Sequence, residues 1–67
     1  MTNAIAPVPS RLFGLGAKDL LAYAADGPEN RDQVLAVFKT RLANNVKNGK
    51  DRRAAANKRN IDRVEAI

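Results

Sequence analysis

The chain has 67 residues, with twelve Lys or Arg against seven Asp or Glu, a net charge of +5, and neither histidine nor cysteine. That length supports one domain with a thin core, because surface outweighs volume in small proteins. Without His or Cys there is no Ser-His-Asp triad, no thiolate nucleophile, no disulfide and no ordinary zinc site, so neither an enzyme nor a bound cofactor is expected.

Residues 1–15 read as an extended arm. Pro7 and Pro9 restrict their own backbones and those of Ala6 and Val8 toward extended geometry. The arm is apolar, and Ile5, Val8, Leu12, Phe13 and Leu15 are costly to leave in water. It therefore either folds back over the helices, which a small core would use, or docks on another chain through Ile5, Val8, Leu12 and Phe13. The first ten residues carry no basic leader, and two prolines interrupt them where a signal peptide needs a continuous apolar stretch. An intracellular site, or one within a virus particle, is expected. No stretch approaches the ~20 apolar residues of a membrane span.

Residues 16–67 read as a single small helical domain, all-α, either a helical hairpin or a three-helix arrangement. The first helix is expected over about 17–26, with Ala17, Leu20, Leu21 and Ala24 on one face and Lys18, Asp19 and Asp26 opposite. Gly27-Pro28 ends it, since glycine suits the position past a helix end and proline cannot continue one.

A second helix is expected over about 30–48, starting between Pro28 and Asn30, with Asn30 a good cap and Gln33 resembling a capping-box partner. Val34, Leu35, Phe38, Leu42 and Val46 fall within an arc of ~120° at ~100° per residue, so this should be the strongest element. Asn48-Gly49 reads as its C-terminal stop, and Lys47 suits the negative end of the helix dipole. Asp26, Asn30 and Asp32 are spaced like oxygen ligands near a loop. A calcium loop counted from Asp26 would need glycine at Arg31 and glutamate at Val37, so these residues read as turn and cap residues with no metal.

The third helix is expected over about 51–66, from an Asp51 cap through the three alanines 54–56. Its apolar side, Ala54, Ile61 and Val64 together with Asn57, is weak. It should be the element that frays most readily and is ordered by contact.

Charge is divided unevenly along the chain. Residues 1–38 hold three basic side chains against four acidic ones, whereas residues 39–63 hold nine against two. Such asymmetry points to a polyanionic partner. On the third helix Arg52, Arg59 and Arg63 fall at about 0°, 340° and 20°, broadly opposite the apolar side, with Ala55, Ala56 and Ala66 flanking them. Small residues beside a row of guanidinium groups would let the helix approach a phosphate backbone or an acidic surface closely. Lys47, Lys50 and Arg53 would widen the patch across the Gly49 turn. The plain alternative is a solvated basic face, with Lys58 or Arg59 pairing modestly with Asp62.

The segment Asp51-Arg52-Arg53-Ala54-Ala55-Ala56-Asn57-Lys58-Arg59 partly resembles the basic region of leucine-zipper transcription factors, spaced Asn-x-x-Ala-Ala-x-x-Ser/Cys-Arg. Asp51 and Lys58 depart from that pattern and no zipper heptads follow. Phe13, Tyr23 and Phe38 are too few and wrongly spaced for a base-stacking platform. A helix-turn-helix around Gly49 would lack a firmly packed recognition helix. The leading expectation is a non-enzymatic accessory protein that binds nucleic-acid phosphates or an acidic protein surface, without sequence preference, inside a larger nucleoprotein assembly. Two others stand beside it: a structural component such as a minor virion protein, docked through the arm, and a small inhibitor seated in an acidic groove of a host enzyme.

Overall fold

The computed structural model describes residues 8–67, and Ile5 lies outside them. Where the sequence suggested an extended arm, the chain turns at once. Pro9, with φ −59° and ψ 130°, leads into a 3₁₀ turn over Ser10–Gly14. Its carbonyl accepts from the Leu12 N–H at 3.0 Å, and the Leu12 carbonyl accepts from the Leu15 N–H at 3.1 Å. Proline fits this position because its fixed φ prepares the turn and its missing N–H is not needed.

The turn drives Leu12 inward, to 1% exposure, and leaves Phe13 44% exposed. Val8 and Leu15 are half-buried against the core. Within the described residues the fold-back reading thus prevails, and the proposed docking set is corrected. Leu12 is used inside the domain, Val8 lies on the core, and Phe13 alone of the four is presented outward. Leu12→Ala is therefore expected to cost about 2–5 kcal/mol, and Phe13→Ala about 0.5 kcal/mol. Urea denaturation of the two variants checks the difference; equal midpoints would mean that the turn does not pack as described.

The helices are α1, Ala17–Ala24, α2, Pro28–Lys47, and α3, Asp51–Glu65, with no strand among the described residues. The fold is all-α. Helix α1 ends two residues before the expected Asp26. Pro28 disfavours helical geometry in the residue before it, and Gly27 is accordingly extended at φ 165°.

Helix α2 starts at Pro28, the early end of the expected range, and Asn30 is not its cap. Gly27 is the capping residue, without a side-chain cap, and its carbonyl accepts from the Arg31 N–H at 3.0 Å. Proline in the first helical position needs no partner for an N–H, so the helix opens there and Asn30 becomes an interior residue. Gln33 is consequently no capping partner. Its Oε1 accepts a hydrogen bond from the Tyr23 hydroxyl at 3.0 Å, tying α1 to α2.

The buried face of α2 is rotated from the expected arc. Val34, Val37 and Phe38 are fully buried and Leu35 and Leu42 pack around them, while Val46 is 64% exposed. The rotation is consistent with the packing of α3 on α2: Val37 shares a helical face with Arg41 and Asn44, which line the groove between the two helices. The link between the two is three residues, and Gly49 at φ 70° takes the left-handed conformation that lets it close so tightly. The Lys50 N–H donates to the Asn45 carbonyl at 2.8 Å and the Gly49 N–H to the Val46 carbonyl at 3.1 Å. These paired bonds form a Schellman cap, satisfying carbonyls the helix would otherwise leave open.

In α3, Asp51 is the first helical residue instead of the cap; Lys50 caps, its carbonyl accepting from the Ala54 N–H at 2.9 Å. Ile61 and Val64 enter the core beside Leu12, Leu20, Ala24, Val34, Val37 and Phe38. Only half-buried residues hold the N-terminal half of α3: Ala54, Ala56 and Asn57. No described helix is long and apolar enough to cross a membrane.

Candidate functional site

The two-sided character of α3 decides where its charges go. Its buried side anchors on Ile61 and Val64, which leaves Arg52, Arg59 and Arg63 exposed. Lys47 and Lys50 are exposed at the end of α2 and in the turn, and Arg53 is exposed one residue beyond Arg52. All six sequence-predicted cations therefore reach solvent. The cation-bearing surface starts at the end of α2, crosses the Gly49 turn and continues down α3.

One detail differs from the helical-wheel expectation. Ala56, expected among the small residues flanking the arginine row, is half-buried; so is Asn60. The packed side of α3 is broader than Ala54, Ile61 and Val64 and extends toward the arginines, because α2 lies against it. The row thus borders the α2–α3 junction. Ala55 and Ala66 remain exposed beside it.

Arg41 has a different role from the other cations of the second half. Its Nη2 donates to the Phe13 carbonyl at 2.8 Å and to the Leu15 carbonyl at 2.9 Å. These carbonyls end the 3₁₀ turn, where the backbone presents unpaired acceptors, and a guanidinium can meet two at once. Arg41 fastens the N-terminal turn to α2.

The structure also brings together a set of residues of which only Arg53 was expected at the site from the sequence. Arg41, Asn44 and Asn45 of α2 face Arg53, Ala56 and Asn57 of α3 across a groove of about 450 Å³. A signal for it was present. Arg41 and Asn45 lie eight and four positions before Gly49, and Arg53 and Asn57 lie four and eight positions after it. One helical turn separates the members of each pair, so a tight hairpin centred on Gly49 sets polar residues against polar residues.

A second hollow, about 390 Å³, lies where Ala24 and Ala25 meet Gly27, Pro28, Arg31 and Ile67. Arg31 Nε is buried there without a hydrogen-bond partner. Among the described residues, no three His, Cys, Asp or Glu side chains gather as metal ligands. Asp26 is exposed in the α1–α2 connection, and Asn30 and Asp32 lie in the first turns of α2.

In comparisons with models of protein families, with curated proteins and with solved structures, nothing matches this chain.

Proposed function

We propose that the chain is a non-enzymatic accessory protein that binds nucleic-acid phosphates, without sequence preference, as part of a larger nucleoprotein assembly. One observation supports this above others: Lys47, Lys50, Arg52, Arg53, Arg59 and Arg63 are all exposed, at the end of α2, in the turn and on the helix that follows it. Lysine supplies a mobile point charge and arginine a planar fork that matches phosphate oxygens. Such contacts hold a backbone in place and read no sequence.

The test is affinity for a DNA duplex as a function of salt. If all six cations contact phosphates, the binding constant falls by about 10³ between 50 and 200 mM salt, through counterion release. Affinity independent of salt, or absent at low salt, would overturn the proposal.

A second reading is a structural component of a large complex, and the outward Phe13 favours it, since a large apolar ring is costly to leave in water. Deleting residues 1–15 would not test it, because Leu12 would leave the core with them. Phe13→Ser, which spares Leu12, should abolish incorporation into the assembly and leave nucleic-acid affinity unchanged.

A further inference from the structure

We infer that the groove between α2 and α3 receives an unpaired nucleotide, so that the preferred ligand is single-stranded nucleic acid. The inference deepens the phosphate-binding proposal and rests on it. Three carboxamides, Asn44, Asn45 and Asn57, line the groove with Arg41, Arg53 and Ala56. A carboxamide offers a donor and an acceptor side by side, which is the pattern of a nucleobase edge; asparagine pairs in this way with adenine. The side chains of an acidic peptide present carboxylate acceptors only. Among the described residues such a peptide would meet Arg53 as the one lining cation without a hydrogen bond to another residue, since Nη2 of Arg41 is taken by the carbonyls of Phe13 and Leu15.

That engagement also favours a base. Arg41 is fixed by its two hydrogen bonds, and an arginine plane is one of the surfaces on which unstacked bases rest. The absence of an aromatic platform, which argued against base recognition from sequence, is thereby offset. Access selects the single strand. The edges of paired bases lie on the floor of a duplex groove and are reached by a protruding element, whereas this groove is a recess between two helices that a splayed-out base enters. Lys47, Lys50 and Arg52 lie between the two lining segments in sequence, at the turn end of the recess, and all three are exposed, so a phosphate adjoining the inserted nucleotide there meets cations.

The test compares a twelve-nucleotide adenine-containing DNA strand with its own duplex, by fluorescence anisotropy at one salt concentration. The duplex carries the higher charge density and would win on phosphates alone. The single strand is expected to bind at least about fivefold tighter, the equivalent of one good carboxamide–base pairing. Asn44→Ala with Asn57→Ala should bring that ratio to one or below while duplex affinity stays unchanged. Asn44→Ala alone, at an exposed position, should reduce the ratio in the same direction and keeps the test decisive if the double variant fails to fold.

A parent protein that binds the duplex as tightly as the single strand overturns the groove inference and leaves the phosphate proposal standing. So does a ratio that the asparagine variants do not move. Binding to neither nucleic acid overturns both. Polyglutamate held as tightly as the single strand overturns both as well, and turns the surface into a site for acidic protein.

Discussion

Phe38→Ala is expected to leave the chain without a stable fold at room temperature. Phe38 has no exposed surface and lies in the middle of α2, in one cluster with residues of the 3₁₀ turn, α1 and α3. Truncating a buried phenylalanine costs about 3–5 kcal/mol, as lost transfer energy and as the cavity left behind. A domain of this length has roughly 3–10 kcal/mol in total, at about 0.05–0.15 kcal/mol per residue. The substitution thus removes a large part of the stability. Far-UV circular dichroism should show a loss of helix and no cooperative melt. Phe38→Leu, which keeps most of the volume, should still melt cooperatively at a lower temperature, and Val46→Ala should melt close to the parent. A cooperative melt for Phe38→Ala within a few degrees of the parent would mean that the core is organised around some other residue.

The contrast between Phe38 and Val46 shows what helical periodicity can and cannot locate. Both belong to the arc that marks α2 as amphipathic, and local spacing treats them alike. Which part of an arc is covered depends on where neighbouring helices lie, and that depends on the length and hand of the connections. The Asn48-Gly49-Lys50 link is short enough to lay α3 against α2, and Val37 lies on the same helical face as Arg41 and Asn44 of the groove between them. Val37 is then buried, while Val46, in the last turn of α2 beside the link, is left to solvent. The glycine stop was legible because its left-handed geometry is a local requirement.

The N-terminal segment and the two caps illustrate a different limit. Pro7 and Pro9 signal a chain that avoids helix, and extended geometry is the simplest expectation. A single 3₁₀ turn satisfies the same restriction, and the choice is made by Leu12, which gains burial only if the chain turns. At Asn30 two local signals competed. A side-chain cap and a first-position proline each begin a helix, and the proline prevails because its φ is fixed before folding.

For the candidate site, the exposure of Arg52, Arg59 and Arg63 was legible because charged side chains on a helix opposite its apolar residues have few places to go but solvent. Their relation to the groove was not. The Arg41–Asn45 and Arg53–Asn57 spacing becomes a feature only when Gly49 folds one pair over the other, and Arg41 could be separated from the free cations only by the tertiary bonds to the Phe13 and Leu15 carbonyls. Those bonds join residues 28 and 26 positions apart. No local pattern carries such information.

Reversing the arginine row should have the largest effect on binding. Arg52→Glu, Arg59→Glu and Arg63→Glu together take the net charge from +5 to −1. The three side chains are exposed, so the fold should survive, each change costing within about 0.5 kcal/mol. Duplex affinity at low salt is expected to fall by at least about 10³, since three phosphate contacts are lost and three repulsions added, and the slope of log K against log salt should shrink by about 3. Net charge alone could produce part of this loss. The control is Arg11→Glu, Lys18→Glu and Lys39→Glu, three exposed positions off the α3 row, which reaches the same −1. If long-range charge were the cause, the two triple variants would weaken equally at low salt and recover together as salt screens them. If direct contact is the cause, the control keeps its salt slope and loses about tenfold or less, whereas the α3 variant stays weak at every salt concentration. Equal losses in the two variants would show that the row on α3 has no special place in binding.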